Sequence, residues 1–291
     1  MDPYEGRGRG VIGRLMPNGG YRVFVVHLGS QVAIELPKER AIDRSTGLES
    51  GCPPHRYRGP SDSLSSTSHR YAVGLMSNRE FGRDVTTFGI ISDIHANKVA
   101  LEAVLSDMPP VDTLVCAGDV VGYNPWPGEC IEELRTRAIP SIGGNHDRAV
   151  VSGDTQWMNA MATRGVDYAR DVLSDDQIDW LRELPVELTL ADGRIKVVHG
   201  HPDDPDHYTR RAEVNAHLLG DEDVLVLGHT HVQFTERVGG GIVLNPGSVG
   251  QPRDGDPRAA YSVLDLTAMT VEEGGVEYHI PRVQAKILAA R

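Results

Sequence analysis

Apolar positions are spread unevenly along this chain. From residue 86 onward they gather in short runs at 87–91, 111–116, 196–198 and 224–227, each bounded by Gly or polar residues. Runs of this length read as buried strands. Between them the spacing turns helical. Residues 98–106 form an amphipathic stretch behind Asn97, a suitable N-cap, and 127–137 opens with Pro127 at its first turn. Residues 139–142 suggest a short strand ending at Gly143-Gly144, and 154–184 two helices divided near Ser174. Strands at 186–190 and 194–198 flank the turn 191–193. A helix is expected over 211–219, then strands at 223–227, 232–238, 241–244, 260–266 and 270–279. The order is βαβαβ first and mostly antiparallel β afterwards. That predicts one α/β domain of mixed sheets packed together, with helices outside.

The first 80 residues do not follow this pattern. Their Gly/Arg-rich ends and a Pro- and Ser-rich run over 51–70 suggest a loop or a poorly ordered segment, with a small hairpin at 21–26 and 31–36 around Gly29. Residues 1–80 are either an accessory segment or a misassigned start, and composition favours a domain that begins near Met76. The expected division is therefore 1–80 and 81–291.

Composition narrows the class. Hydrophobic content of 40% and charged content of 24% fit a globular protein. No apolar stretch has the length of a membrane span, and residues 1–7 lack the layout of a secretory signal. Cys52, Cys116 and Cys130 have no C-x-x-C spacing, so a reducing, cytoplasmic setting is expected. Residues 1–75 carry a net charge of +3 and the remainder −15, with only Lys98, Lys196 and Lys286 as lysines in that remainder. Such a surface fits either a protein adapted to high salt or an ordinary acidic enzyme. In both cases it disfavours extended nucleic acid as a partner.

The candidate chemistry sits where strands hand over to loops. In chain order the residues are Asp93-x-His95, Asp119, Asn145-His146-Asp147, His199 and His229-x-His231. Singly, each has an ordinary reading: Asp-x-His as a surface pair, Gly118-Asp119 as a turn, Asn145 and Asp147 as helix caps, the histidines as polar loop residues. Together they place carboxylate, amide and imidazole groups at strand ends, where α/β sheets collect ligands. Mixed oxygen and nitrogen donors without thiolate favour Mn, Fe, Zn or another borderline divalent ion. The donors outnumber the needs of one ion, which suggests a two-metal site bridged by one carboxylate.

Five motifs carry a resemblance. Ser92-Asp93-Ile94-His95-Ala96-Asn97, Gly118-Asp119-Val120-Val121-Gly122-Tyr123, Gly143-Gly144-Asn145-His146-Asp147, Val198-His199-Gly200-His201 and Gly228-His229-Thr230-His231 resemble the calcineurin-like metallophosphoesterase family, in particular its small prokaryotic phosphodiesterase-type members. The resemblance covers roughly residues 86–280. It implies a four-layer αββα sandwich of two mixed sheets flanked by helices, and two divalent metal ions, manganese foremost, with Fe, Zn, Ni or Mg as alternatives. One ion would be held by Asp93, His95, Asp119 and His231, the other by Asp119, Asn145, His199 and His229. It further implies that a hydroxide activated by both ions attacks phosphorus directly. His146 would lie beside the phosphate, and Asp147 would orient His146 or cap a helix. The substrate would be a small phosphate ester, a diester before a monoester, with no membrane partner and homo-oligomerisation left open. A non-catalytic protein-binding scaffold is a further reading, but it would be expected to lack some of these ligands. His201, where the family commonly has a small residue, is either a substrate contact or a solvated loop histidine. Arg253, Tyr123 and Asn124 are candidate pocket residues.

Overall fold

The structure, a computed structural model, describes residues 10–15, 21–27, 30–35 and 86–290. Strands β1 (Gly10–Leu15), β2 (Tyr21–His27) and β3 (Ser30–Glu35) form an antiparallel sheet in the order β1-β2-β3. The hairpin expected around Gly29 is the β2–β3 pair, in which Val25 stands opposite Val32. β1 was not expected. The readings of the other residues before 86, including a start at Met76, lie outside the described residues.

The second unit runs β4 (Thr87–Ile91), α1 (Lys98–Asp107), β5 (Thr113–Cys116), α2 (Pro127–Thr136), α3 (Asn145–Ser152), α4 (Ala160–Val172) and α5 (Asp175–Glu183). It continues with β6 (Glu187–Leu190), β7 (Ile195–Val198), β8 (Val224–Val226), β9 (Phe234–Val238), β10 (Gly241–Asn245), β11 (Ala259–Asp265), β12 (Thr270–Val276) and α6 (Ile280–Ala289). Two mixed sheets result, ordered β12-β11-β4-β5 and β6-β7-β8-β10-β9. The first pairs β4 parallel to β5, and the second pairs β7, β8 and β10 parallel.

Strand periodicity decides which side chains meet. Phe88 and Ile90 of β4, Val115 of β5, Val197 of β7, Val224 and Val226 of β8, and Ile242 and Leu244 of β10 form the buried layer between the sheets. The intervening positions face outward: Val243, Leu225 and Val198 pack with Leu227 and Phe234 on the far side of the five-stranded sheet. Ile91 and Cys116 instead join Leu101, Val104, Ile131, Leu134, Val150 and Val166 of the helices. A central strand buried on both faces is apolar at nearly every position, so these strands read as near-continuous apolar runs, apart from end residues such as Thr87, Thr113 and Asn245 and the half-buried Lys196. The capping signals hold locally. Asn97 accepts from Ala100 N (3.2 Å), while Ser174 accepts from Gln177 N (3.3 Å) and receives the Gln177 side chain in return.

Three expectations need correction. Residues 139–142 form only an isolated bridge, Ser141 to Cys116, because Pro140 has no N–H and contributes its carbonyl alone, to Cys116 N (2.9 Å). The helix expected over 211–219 is two 3₁₀ turns, Arg211–Glu213 and Ala216–Leu218. Glu213 turns back to Arg210 N (2.7 Å) and Asn215 accepts from His217 N (2.9 Å), so side chains replace the helical ladder. Helix α6 was not expected; it buries Val283 against Val99 and Trp126. Cys116 and Cys130 are buried free thiols, and no helix among the described residues is long and apolar enough to cross a membrane.

Candidate active site

Parallel pairing points the C-terminal ends of β4 and β5, and of β7 and β8, the same way within each sheet. The loops that leave them are joined by backbone bonds. Asp93 N donates to Gly118 O (2.9 Å), His95 N to Asp119 O (2.9 Å), Gly228 N to His199 O (2.8 Å) and Gly250 N to Asp93 O (3.0 Å). Residues far apart in sequence are thereby fixed side by side. Asp93, His95, Asp119 and His231 form one buried group whose ligand atoms lie within 4.8 Å of one another, and Asp119, His199 and His229 form a second. Asp119 belongs to both, and Asn145 joins the second through Oδ1, 3.1 Å from His199 Nε2.

The hydrogen bonds leave the inward-facing atoms unused. Asp93 Oδ2 accepts from Ser92 Oγ (2.7 Å) and His229 N (3.1 Å), while Asp119 Oδ1 accepts from His146 N (2.8 Å). The other oxygens, Asp93 Oδ1 and Asp119 Oδ2, are buried without a hydrogen-bond partner. Each instead faces imidazole: Asp93 Oδ1 lies 3.2 Å from His231 Nε2, and Asp119 Oδ2 lies 3.3 Å from His199 Nε2 and 3.6 Å from His95 Nε2.

The tautomers follow from the outer contacts. A carbonyl only accepts, so His95 Nδ1 donates to Val121 O, His199 Nδ1 to Ala117 O, His231 Nδ1 to Gln251 O and His229 Nε2 to Asp206 O. In the neutral rings the lone pairs of His95, His199 and His231 are therefore on Nε2. His95 Nε2 and His231 Nε2 face each other at 3.0 Å, where neither can donate while neutral and a shared cation satisfies both. Backbone carbonyls holding the outer nitrogens of imidazoles are the usual outer contacts of metal-ligating histidines. The donor set fits divalent metal ions: orphaned carboxylate oxygens, facing lone pairs and no thiolate.

Charge states agree with that fit. Burial opposes ionisation of Asp93 and Asp119, yet His231 beside Asp93, and His199 and His146 beside Asp119, hold both carboxyls below the usual range. Burial pushes His95 well down, with His146 adding to it, and burial together with His199 pushes His229 to about 4. His199 goes the other way: Asp119 outweighs burial and raises it to about 9. Ionised Asp93 and Asp119 and the lowered His95 and His229 are in the forms that bind a cation, whereas His199, raised by Asp119, must lose its proton before it can ligate one.

The backbone here is strained. Asp93, His95, Asp119, His229 and His231 have φ between 47° and 66°, the left-handed region that costs non-glycine residues on the order of 1–3 kcal/mol each. Close packing adds a second constraint, since a Cβ on Gly144 would lie 2.1 Å from Asp119 Oδ1.

His146 lies at the edge of the cluster. Its ring packs edge-on to His95 (centroids 4.7 Å apart) and against Tyr123 (4.7 Å), and Nδ1 has no hydrogen-bond partner. Burial pushes its pKa down. Of the two roles open to Asp147, the hydrogen bonds are those of a cap, and none runs to His146. The Asp147 carboxylate accepts from Gly144 N (2.9 Å), Val121 N (3.0 Å) and Val120 N (3.2 Å), capping α3 and anchoring the Asp119 loop. The His146 ring lies between His95 and Tyr123 in space that Gly122 leaves open, since an added Cβ there would come within 2.5 Å of His146 Nδ1.

A cleft of about 300 Å³ opens beside the cluster, lined by Asn145, His146, His229, Tyr123, Trp157 and Tyr208 among others. Tyr208 stacks on His229 with ring centroids 3.8 Å apart. Sequence reading missed Tyr208 and Asp206, on an irregular segment with no motif signal, and Trp157, which was expected within a helix from 154 but lies in the turn before α4 begins at Ala160. Asn124 is buried and donates to His95 O (2.9 Å), so it braces the loop. His201 is a satisfied loop residue: Nδ1 accepts from Asp203 N (3.1 Å), and the ring does not line the cleft. Arg253 is held by Tyr123 Oη (3.2 Å) and Gln251 Oε1 (2.8 Å) and does not line the cleft.

Comparison with known proteins gives the same picture. An uncharacterized protein of Methanocaldococcus jannaschii is 30% identical over 230 residues, 69% of this chain and 92% of that protein. Phosphodiesterase YfcE of Escherichia coli is 30% identical over 192 residues, 62% of this chain and 88% of that one. The crystal structure of a metallophosphoesterase from Sphaerobacter thermophilus superposes with a TM-score of 0.62 at 37% identity, over 71% of this chain and 94% of that one. A Pyrococcus horikoshii protein, at 21% identity and a TM-score of 0.63 over 70% of this chain and 92% of that one, shares the fold. Residues 87–269 match the calcineurin-like phosphoesterase superfamily domain, so the chain belongs to that superfamily and is a metallophosphoesterase, a hydrolase of phosphate esters.

Proposed function

We propose that this chain hydrolyses a phosphodiester with two divalent metal ions. Asp93, His95, Asp119 and His231 would hold one ion, and Asp119, Asn145, His199 and His229 the other, with Asp119 shared. The observation that supports this most directly is the pair of facing lone pairs on His95 and His231, set beside two orphaned carboxylate oxygens. When bound, the ions supply Lewis acidity, which brings a water's pKa toward neutrality and offsets charge on phosphoryl oxygens. The oxygen and nitrogen donors suit manganese, and a cytoplasmic setting goes with the free thiols.

The chain's own residues do the rest. Asn145 offers a neutral carbonyl oxygen, which limits the negative charge that an anionic substrate meets. His146, on the cleft, is suited to hydrogen-bond a phosphoryl oxygen and, when protonated, to give its proton to the departing oxygen. A diester is favoured over a monoester because, among the described residues, no Lys or Arg lines the cleft, and the carboxylate there, Asp206, is paired with Arg148. A singly charged diester suits such walls better than a dianionic monoester.

The test is turnover of bis(p-nitrophenyl) phosphate and p-nitrophenyl phosphate by the purified full chain with Mn, Ni, Mg or Zn. Metal-dependent hydrolysis with higher kcat/KM for the diester is expected. A monoester preference overturns the diester assignment, and no hydrolysis with any metal overturns the catalytic reading.

A further inference from the structure

The cleft walls carry more information about the substrate than the metal cluster does. Among the described residues six large apolar side chains are exposed, and three of them gather here: Trp157 (54%), Tyr208 (43%) and Met161 (68%). Trp157 and Tyr208 line the cleft, and Met161 sits on the first turn of α4 between the cleft residues Asn159 and Ala162. Exposed aromatic surface grouped at a pocket mouth is the mark of a binding surface rather than of scattered surface residues.

These side chains are held in place. Tyr208 has one face on His229, and the next residue, Thr209, is buried with Oγ1 donating to Gly200 O (3.0 Å). Trp157 sits in a tight turn closed by Met158 N to Thr155 O (2.9 Å). The turn leads into Asn159, whose Oδ1 accepts from Met161 N and Ala162 N (3.0 Å each) and caps α4. Among the described residues no Lys or Arg lines the cleft to receive a second phosphate, and its volume of about 300 Å³ suits one compact group next to the reacting phosphate.

We infer that this cleft binds a flat aromatic ester group of the substrate, stacked on Trp157 with Tyr208 as a neighbouring wall. The inference rests on the phosphodiesterase reading and names its substrate class: phosphodiesters of a nucleoside or of an aryl alcohol, in preference to alkyl or sugar esters. Either source presents the same π-face to the indole.

Inhibition of the Mn-loaded enzyme separates the aromatic group from leaving-group effects. Adenosine 5′-monophosphate and ribose 5-phosphate share sugar and phosphate, so the ratio of their Ki values reads the base alone; phenyl phosphate against methyl phosphate reads a plain aryl group. At least one pair should discriminate roughly five- to 150-fold, the range of a base stacked on an aromatic side chain. Trp157→Ala should collapse that ratio, and Trp157→Phe should restore part of it. Tryptophan fluorescence, which needs no turnover, should be quenched by the aromatic member of the pair and not by its partner. Equal Ki values within both pairs and no differential quenching overturn the inference while leaving the phosphodiesterase reading intact. If no ester is hydrolysed, that reading falls, and the fluorescence titration alone decides the stacking. If Trp157→Ala fails to fold, the wild-type ratios and Trp157→Phe decide it.

Discussion

Gly144→Ala is the sharpest probe of the shared carboxylate. Gly144 has an ordinary extended conformation (φ −84°, ψ −177°), so alanine meets no backbone penalty there and the effect comes from space alone. Its Cβ would lie 2.1 Å from Asp119 Oδ1 and 2.5 Å from Asp119 N. Restoring even 3.0 Å requires Oδ1 to move by about 0.9 Å and the Asp119 backbone by about 0.5 Å. The backbone cannot yield freely, because Asp119 O accepts from His95 N and Oδ1 accepts from His146 N. Such overpacking costs about 1–3 kcal/mol of fold stability. Metal sites keep their ligand distances within about 0.2 Å, so a shift of this size should weaken both candidate ion sites at once, by at least the 10- to 100-fold typical of lost supporting contacts. Each tenfold loss removes about 1.4 kcal/mol of metal-linked stabilisation at a fixed, near-saturating metal concentration. Calorimetric titration with Mn and thermal unfolding with and without Mn measure both terms. A variant that folds and binds Mn with wild-type affinity would refute the steric argument and the assignment of Asp119 to both ions.

Three further outcomes follow from the same geometry. His146→Ala should keep Mn-induced stabilisation and lose about 10²- to 10⁴-fold in kcat, the usual worth of a proton-transferring side chain; unchanged turnover would remove His146 from the chemistry. Asp147→Ala strands three buried N–H groups at about 1–3 kcal/mol each, so its Tm should fall by far more than that of His146→Ala; a small change in Tm with a large loss of kcat would return Asp147 to an orienting role. Chelation with EDTA should abolish hydrolysis and lower the Tm, and Mn should restore both; a Tm indifferent to EDTA and Mn would argue against ions held by the buried cluster.

Much of this centre could be read from local sequence because strands and motifs are local objects. The runs at 87–91, 113–116, 195–198 and 224–226 are mainly apolar because most of their side chains are buried, with Thr87, Thr113 and Lys196 only half-buried, and polar ligand types follow within three residues of each strand end. Asn97 and Ser174 announce their helices, since a cap needs only its own neighbours. The elements that went unread depend on partners elsewhere. Residues 211–219 have helical spacing, but local side-chain bonds at Glu213 and Asn215 displace the ladder, and α6 is recognisable only through the surface it covers at Val99 and Trp126.

The same division runs through the site. Sequence determined which candidate ligand types are present and their order along the chain, and it suggested that one carboxylate serves two groups, since the motifs carry these things residue by residue. Tertiary structure decided that His95 Nε2 meets His231 Nε2 across 136 positions, that Asp147 accepts from three amides, and that the His146 ring packs between His95 and Tyr123 in room left by Gly122. It also brought Trp157 and Tyr208, from two unrelated loops, to one cleft. The physical reason is that a residue's chemistry belongs to the residue, whereas the direction of a lone pair and the company a side chain keeps are set by packing between segments distant in the chain.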